Sequence, residues 1–556
     1  MLELKLVSAL EKCFIDQTPA DFKEINRIRM YKNGVGSAQL LIYEPEERAE
    51  HTRMIWVEAD GPLAPYVTVR TVESVPNYIP VPATPKTAME KDPGLLRATP
   101  GLYPDVLQPL EHHGAVMLIY QLTRSIRIDI RGDVPAGVSE LTIRLRRKNG
   151  MIAGEQTLTV EVIDAKLPEQ ETIVTQWFYA DCLADYYNAA PFGPEHMEIC
   201  RRFIKTAVEN GINMLLVPVF TPPLDTAVGG ERTTTQLVGV RRTNGQYTFD
   251  FTMVDAWMHM ARECGIRYFE IAHLFTQWGA EHAPKIMAEV DGVMTRLFGW
   301  ETQADGEEYV AFLRAFLTAF TAHLTERGYH DEIYFHLSDE PEEKHLPQYR
   351  RNKENIQDIL RGWKILDAMS HVEFYREGLC EIPVAVSNFI EDFMPEDIAE
   401  RWVYYCCVPW AGYSNRFMAM HSARTRCIGL QMYKYGIKGF LHWGYNFYNN
   451  RYSDDMVNPF LNGNAGYWAG GGDAVSVYPG AKGQPLESVR IDAFRQGLED
   501  IRVLQLCEQY YGKDAVVREM ESIMGTITFK NCVDDTATMT ALRDRLDDMI
   551  QAAMQK

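Results

Sequence analysis

Apolar and polar residues alternate with a period of two over much of the first third of the chain. Residues 141–145 read Leu-Thr-Ile-Arg-Leu and residues 158–162 read Leu-Thr-Val-Glu-Val, with a turn containing Asn149-Gly150 between them. Residues 126–130 show the same alternation. The pattern predicts strands with one buried face, and the two segments beside the turn are predicted to pair as a hairpin. Several such strands separated by turns predict a β-sandwich domain over residues 1–168.

One part of this region breaks the alternation. Residues 76–110 contain eight prolines, which predicts a long irregular excursion. An excursion of this length within a compact domain is usually functional or packed on a neighbour. We therefore expect residues 101–105 to contact the second domain.

The pattern changes near residue 171, where apolar runs begin to alternate with segments of helical period. The predicted strands are residues 173–180, 212–220, 266–275, 332–341, 382–389, 402–409, 439–448 and 474–478. The predicted helices among them are residues 195–210, 251–264, 309–327 and 417–435. Eight strands with intervening helices predict a (β/α)8, TIM-like catalytic barrel over residues 169–485. Residues 486–556 are predicted to be C-terminal helices packed on the barrel, so the fold class is multidomain β plus α/β.

The composition argues against several partners. The 556 residues carry a formal net charge of −20, so nucleic acid and anionic membrane surfaces would be repelled. No apolar run is long enough to predict a membrane span, and charges interrupt the apolar residues at the N-terminus, unlike in a signal peptide. The ten cysteines are scattered without the spacing of a zinc site, which predicts free thiols in a reducing compartment. We therefore expect a cytoplasmic protein.

Residues 332–341, Glu-Ile-Tyr-Phe-His-Leu-Ser-Asp-Glu-Pro, lead an apolar strand directly into two adjacent carboxylates. Pro341 has no N–H and favours an extended residue before it, so we expect the strand to end there. Asp339 and Glu340 would then lie at the carboxyl end of a barrel strand, where active sites of such barrels are built. Because adjacent side chains in a strand face opposite ways, both can enter one pocket only if the backbone turns between them.

Other predicted strand ends are rich in aromatic and polar residues. The C–H faces of a sugar stack on aromatic rings, and its hydroxyls need fixed donors and acceptors, so this mixture favours a carbohydrate ligand. The candidate substrate-binding residues are Tyr179, Trp278, His336, Asn388, Trp443, Tyr445 and Asn446.

The adjacency of Asp339 and Glu340 favours one mechanism of glycoside hydrolysis. Glycosidases normally place two carboxyls on opposite sides of the bond, about 5–5.5 Å apart in retaining enzymes, which suits sequence neighbours poorly. In substrate-assisted hydrolysis the 2-acetamido oxygen of the sugar attacks instead, so no enzymic nucleophile is needed. One carboxyl then protonates the leaving oxygen while its neighbour orients the acetamide. Two like charges this close should also raise one pKa, which keeps the acid protonated near neutral pH.

Several segments resemble a known family. The Ser-Asp-Glu-Pro at residues 338–341 resembles the catalytic segment of glycoside hydrolase family 123, the β-N-acetylgalactosaminidases, and residues 442–446, 471–480 and 488–500 resemble the related domain-of-unknown-function 4091 family. The resemblance covers most of the chain from about residue 170 and implies an N-terminal β-sandwich before the barrel. It also implies that Glu340 is the general acid/base and Asp339 the residue that orients the acetamide.

The resulting hypothesis is a retaining, substrate-assisted exo-β-N-acetylhexosaminidase that releases N-acetylgalactosamine from glycans without a cofactor. One alternative is a glycosidase of another specificity, with Asp181 or Glu270 as a separate nucleophile or base. A second is a non-catalytic carbohydrate-binding barrel. A third is a metal-dependent hydrolase with Asp339, Glu340, His336 and His442 as ligands. The sequence predicts no oligomeric state.

Overall fold

The computed structural model describes residues 2–46, 54–110 and 115–555. Its N-terminal part contains two five-stranded sheets. In the order of their pairing, the strands of the first sheet are Glu3–Ser8, Gly36–Tyr43, Arg124–Ile130, Val67–Asn77 and Gly101–Pro109. Those of the second are Arg27–Tyr31, Ile152–Ile163, Gly137–Arg147, Met54–Asp60 and Ala115–Met117. One apolar cluster buries side chains of both sheets, among them Ile128 and Ile143, so the sheets pack on each other.

The hairpin predicted from the alternating pattern is present. Leu141 lies opposite Leu158 in antiparallel strands, and both side chains are fully buried. The proline-rich segment, in contrast, is more regular than expected, because it holds the helix Pro85–Lys91 and the strand Gly101–Pro109. That strand reaches the second domain, as predicted: the Tyr478 hydroxyl donates to the Asp105 carboxylate at 2.5 Å. Asp105 also accepts from Arg490 Nε in the C-terminal helices at 2.7 Å, with both side chains fully buried.

Eight parallel strands form a nearly closed barrel after residue 170. In chain order, the first to eighth barrel strands are Ile173–Gln176, Met214–Val217, Tyr268–Ile271, Ile333–Phe335, Lys364–Met369, Ile382–Val386, Trp402–Tyr404 and Gly439–His442. Strands two to eight pair in sequence order, and the eighth pairs with the first. Between the first and second strands, Asn213 N–H donates to the Val174 carbonyl at 3.1 Å. These strands are short apolar runs because both of their faces are covered.

Seven of the eight predicted strands belong to the barrel, and one does not. The prediction for residues 474–478 was wrong, because the strand there, Val477–Pro479, pairs with Pro485–Glu487 in a separate hairpin. The missing barrel strand is Lys364–Met369. Its apolar run is interrupted by Asp367, and Ile365 is its single β-branched residue, which conceals its strand character.

Helices and one inserted sheet connect the barrel strands. The inserted sheet pairs Gln246–Asp250, Gly239–Thr243, Ile286–Val290 and Val293–Phe298. The connecting helices are Ala180–Tyr187, Pro194–Glu209, Thr252–Cys264, Glu307–Glu326, Leu346–Glu354, Glu373–Arg376, Ile390–Phe393 and Ser422–Tyr435. Short 3-10 turns lie at Pro19–Asp21, Ala64–Tyr66, His330–Glu332, Glu343–His345 and Ala481–Gly483. None of the helices in the described ranges is both long and apolar enough to cross a bilayer.

The chain ends in the helices Val489–Tyr511, Lys513–Met524 and Thr536–Met554. The first of them packs directly on the barrel helix Ser422–Tyr435. A Cβ atom on Gly429 would lie only 2.0 Å from the Gly497 carbonyl oxygen, so the two backbones touch where both residues lack a side chain. This close approach fixes the C-terminal helices on the outside of the barrel.

Candidate active site

The regular part of the fourth barrel strand ends at Phe335, four residues before the carboxylate pair. The sequence pattern had extended this strand to Pro341. Beyond Phe335 the backbone N–H groups of Leu337 and Ser338 donate to the Asp367 carboxylate, at 3.0 and 3.2 Å, instead of to a strand carbonyl. The Asp367 carboxylate therefore replaces backbone carbonyls as the acceptor at the end of the fourth strand, and the following residues lie at the carboxyl end of the barrel.

The backbone turns sharply at Glu340. This residue has a φ of +42°, a left-handed conformation that non-glycine residues rarely adopt and that costs about 1–3 kcal/mol. Glu340 N–H donates to the Ala368 carbonyl at 3.1 Å, and Trp278 N–H donates to the Asp339 carbonyl at 2.9 Å, so the fifth barrel strand and the loop after the third strand hold the turn. The side chains of Asp339 and Glu340 consequently line the same cavity, although they are adjacent in sequence.

The cavity lies at the carboxyl ends of the barrel strands and has a volume of about 230 Å³. Its wall combines rings, carboxylates, one guanidinium and two thiols. The lining includes Trp177, Trp278, Tyr404, Trp443, Trp468, Asp225, Asp339, Glu340, Arg451, Cys406 and Cys407. Because sites for drug-sized ligands are usually about 300–1,000 Å³, this space suits a single small group.

Burial and mutual repulsion raise the pKa of the carboxyl groups in this cavity. For Asp339 the pKa is raised well above its usual range, chiefly by burial and then by the charges of Glu340 and Asp225. Burial also raises the pKa of Glu340. The pKa of Asp225 is raised to about 6 by burial, although Arg232 and the Tyr179 hydroxyl oppose the shift. The cavity can therefore retain a proton near neutral pH, as a general acid requires.

Tyr404, at the end of the seventh barrel strand, is the direct partner of Glu340. Its hydroxyl donates to Glu340 Oε1 at 2.6 Å. This bond stabilises the ionised carboxylate and so lowers the pKa of Glu340, against the larger effect of burial. Tyr404 thus controls how readily Glu340 holds its proton.

The variant Tyr404→Phe is expected to extend activity to higher pH. Without the hydroxyl, the pKa of Glu340 rises further, and an enzyme that needs protonated Glu340 stays active to a higher pH. The measurement is the basic limb of the kcat/KM profile. Tyr405→Phe is the matched control, because the Tyr405 hydroxyl is buried without a partner among the described residues. A basic limb that stays in place or moves to lower pH in Tyr404→Phe would contradict this role.

His336 lies beneath the cavity rather than in its lining. Its Nε2 is 2.8 Å from Glu270 and its Nδ1 is 3.3 Å from Asp367, and all three side chains are fully buried. Burial lowers the pKa of His336, but the hydrogen bonds to Asp367 and Glu270 outweigh it and raise the pKa to about 9. His336 is therefore a cation between two carboxylates, and it steadies the strand ends below the Asp339-Glu340 turn.

The residues of the metal-dependent alternative do not form one cluster in the described chain. A set of ligand atoms within 4.8 Å of one another is formed instead by His273, His336 and Asp367. Both ring nitrogens of His336 in that set already face carboxylates. His442 is engaged elsewhere, because its Nδ1 accepts from Gly444 N–H at 3.0 Å.

Five of the other six predicted pocket residues divide into two groups. Trp278, which is 42% exposed, and Trp443 line the cavity. Tyr179, Tyr445 and Asn446 lie behind the wall: Asn446 bonds the Tyr179 backbone at 2.9 and 3.1 Å, and the Tyr445 hydroxyl donates to a carbonyl of a neighbouring helix at 2.8 Å. These three residues therefore pack behind the residues that line the cavity.

Asn388 follows the sixth barrel strand but is not among the cavity-lining residues. Its Oδ1 is buried and has no hydrogen-bond partner within the described ranges.

Trp443 is held by Asp473, whose Oδ2 accepts from the indole Nε1 at 3.0 Å. Burial raises the pKa of Asp473 to about 7, while nearby Arg416 and this hydrogen bond oppose the shift.

Sequence reasoning missed several lining residues, above all Asp225 and Tyr404. Asp225 lies on the loop after the second barrel strand, a loop for which no candidate was named, and its Oδ2 accepts from the Tyr179 hydroxyl at 3.2 Å. Attention to the end of every predicted strand would have found it. Tyr404 was hidden because the predicted strand ran on to residue 409, whereas the observed strand ends at Tyr404 itself.

The two carboxylates named for the alternative mechanism lie outside the cavity lining. Asp181 is almost fully buried and forms an ion pair with Arg232, whose Nε is 2.8 Å from Asp181 Oδ2. Glu270 is buried beneath the cavity against His336. Asp225 is the additional carboxylate that the structure brings beside the Asp339-Glu340 pair.

Of three known structures, one supports this architecture and the other two are less similar. A family 123 glycoside hydrolase from Clostridium perfringens, studied for glycolipid glycan hydrolysis, matches with a TM-score of 0.73 and 14% identity over 100% of this chain and 98% of that chain. An endo-β-1,4-mannanase from Thermotoga petrophila is less similar, with a TM-score of 0.34 and 14% identity over 60% of this chain and 77% of that chain. Bacteroides uniformis β-glucuronidase 3 has a TM-score of 0.30 and 11% identity over 85% of this chain and 50% of that chain.

The sequence itself matches a family model. No curated protein matches the chain. The model described as "Glycoside hydrolase 123, catalytic domain" matches residues 177–507, which is more than half of the chain and contains all of the cavity residues named above. The protein therefore belongs to glycoside hydrolase family 123 and is a glycosidase.

Proposed function

We propose that the protein is a retaining, substrate-assisted exo-β-N-acetylhexosaminidase that releases β-linked N-acetylgalactosamine from glycans. Glu340 is the general acid/base, and Asp339 orients the 2-acetamido group of the sugar. The observation that carries the proposal is the turn at Glu340, which brings two adjacent carboxyls into one small cavity. That arrangement suits a mechanism in which the substrate supplies the nucleophile.

The reaction runs in two steps. Protonated Glu340 gives its proton to the glycosidic oxygen as the acetamide oxygen attacks the anomeric carbon, so the aglycone leaves and an oxazolinium-like intermediate forms. In the reactive form of the pair the proton is on Glu340, and the ionised Asp339 carboxylate accepts the acetamide N–H and stabilises the developing positive charge. Glu340 then takes a proton from water, which opens the intermediate from the face that the aglycone left. Two inversions give net retention.

The surroundings of the pair support a single terminal sugar as the bound group. The cavity of about 230 Å³ is walled by Trp177, Trp278 and Trp443, which offer ring faces for stacking. Carboxylates and the Arg451 guanidinium supply polar partners for hydroxyls. Since the Clostridium perfringens relative was studied for glycolipid glycan hydrolysis, the glycan of a glycolipid is a reasonable natural substrate to test.

Asp225 favours a second candidate, a glycosidase that uses two separate carboxylates. It lines the same cavity as Glu340, and its pKa is raised to about 6, mainly by burial. In that mechanism Asp225 would act as nucleophile or base and Glu340 as acid, so the substrate would need no acetamido group.

The first experiment compares the purified protein on 4-nitrophenyl β-glycosides of N-acetylgalactosamine, N-acetylglucosamine, galactose and glucose. We expect turnover of the acetamido sugars only, with N-acetylgalactosamine preferred, because only these substrates carry the nucleophile. Equal cleavage of galactose or glucose would overturn the substrate-assisted mechanism and favour the role of Asp225. Binding without turnover of any glycoside would favour the non-catalytic alternative.

A further inference from the structure

Two adjacent cysteines form part of the cavity wall. Cys406 and Cys407 follow the seventh barrel strand, Trp402–Tyr404, and both line the space that contains Asp339 and Glu340. Their sulfur atoms are 3.9 Å apart. Cys406 is 8% exposed and Cys407 is half-buried, so the pair is reached through the cavity. Neither thiol takes part in the proposed hydrolysis.

The loop that carries the pair is held in one conformation. Cys406 N–H donates to the Val408 carbonyl at 3.1 Å, and the Cys406 thiol lies 3.5 Å from the same oxygen. The Asn415 side-chain amide donates to the carbonyls of Cys406 and Pro409 at 2.8 and 2.7 Å. These bonds hold the backbone on both sides of Cys407 and so keep the two thiols side by side at the cavity wall.

This separation is close to the one that a single soft centre bonded to both sulfurs requires. Two sulfurs on one centre with bonds of about 2.3 Å lie about 3.3–3.8 Å apart, the shorter value for the angle of about 90° at a pyramidal centre and the longer one for a tetrahedral centre. The observed distance of 3.9 Å is slightly longer, so a small rotation of the two side chains lets both sulfurs bond one centre. Soft sulfur ligands prefer soft metal and metalloid centres over the hard cations that carboxylates bind.

We propose that Cys406 and Cys407 form a dithiol site for soft, thiol-seeking centres such as trivalent arsenic, and that an occupant of this site blocks the sugar cavity. The hydrogen bond with Cys407 and burial raise the pKa of Cys406 well above its usual range, so this thiol is protonated at rest. Binding is then a condensation. With phenylarsine oxide, two S–H bonds and the arsenic–oxygen bonds break, two As–S bonds form, one water leaves and arsenic stays trivalent.

The test is binding of phenylarsine oxide to the full chain, followed by intact-protein mass spectrometry in excess monothiol. We expect one arsenical per wild-type chain that survives the monothiol and is released by a dithiol, because chelation by two linked sulfurs is about 10²–10⁴-fold tighter than single attachment. Cys406→Ala and Cys407→Ser should each lose the monothiol-resistant adduct. Cys264→Ala is the control, since this half-buried cysteine lies on the outer helix Thr252–Cys264.

A wild-type chain without a resistant adduct, or single variants that keep it, would overturn the proposal. The mass readout does not depend on turnover, so it stands even if the proposed hydrolase activity is absent. If the glycoside assay shows turnover, one equivalent of arsenical should abolish it in wild type and in Cys264→Ala. Full activity of the wild-type adduct would refute the claim that the occupant blocks the sugar cavity.

Discussion

Replacing Glu340 by glutamine is expected to lower kcat about 10²–10⁴-fold on a disaccharide with an unactivated leaving group. Glutamine keeps the size of the side chain and can still accept from the Tyr404 hydroxyl, but it has no proton to give to the glycosidic oxygen. The loss should be much smaller for a 4-nitrophenyl glycoside, whose leaving group departs without protonation. The measurement is kcat on both substrates.

A matched control for this variant is Glu342→Gln. Glu342 lies two residues further on, with a side chain that is 61% exposed, and it pairs with Lys344 at the surface. Its replacement should leave both rates unchanged. An equal loss on the two leaving groups in Glu340→Gln would mean that Glu340 positions the substrate rather than donates a proton.

Much of the fold could be predicted because local patterns and tertiary structure agree. The alternation over residues 141–162 predicted a hairpin whose Leu141 and Leu158 face one another. Seven barrel strands were predicted from their apolar runs, since buried parallel strands are covered on both faces. The strand Lys364–Met369 was not recognised, because Asp367 interrupts its apolar run. The Asp367 carboxylate accepts from the backbone N–H groups of Leu337 and Ser338 at the end of the neighbouring strand.

The site was harder to predict than the fold, because its geometry depends on contacts between loops. Asp339 and Glu340 were found from their place after an apolar strand, but their entry into one cavity depends on a φ of +42° at Glu340, which is held by bonds to the fifth barrel strand and to the loop that carries Trp278. Trp443 and Tyr445 would share one face of a regular strand. The eighth strand ends at His442, so that period no longer holds, and only Trp443 lines the cavity.

Replacing Asp339 by asparagine is expected to lower kcat/KM on N-acetylgalactosaminides about 10²–10³-fold, as loss of one preorganised electrostatic contact to a transition state does. Asparagine cannot neutralise the positive charge that develops on the acetamide. Asp331→Asn, a fully exposed site before the same strand, is the control.

A series of substrates with increasingly fluorinated acetamides identifies the nucleophile. Fluorine withdraws electron density from the carbonyl oxygen, so wild-type kcat/KM should fall steeply along the series if that oxygen attacks the anomeric carbon. The comparison variant is Asp225→Asn, which removes the rival carboxylate of the same cavity. Rates that are indifferent to fluorine, together with a larger loss in Asp225→Asn than in Asp339→Asn, would assign the attack to Asp225. A steep fluorine dependence with the larger loss in Asp339→Asn assigns the attack to the acetamide, because fluorine weakens the attacking carbonyl oxygen directly, whereas it affects attack by a separate enzymic carboxylate only through a weak inductive effect on the anomeric carbon.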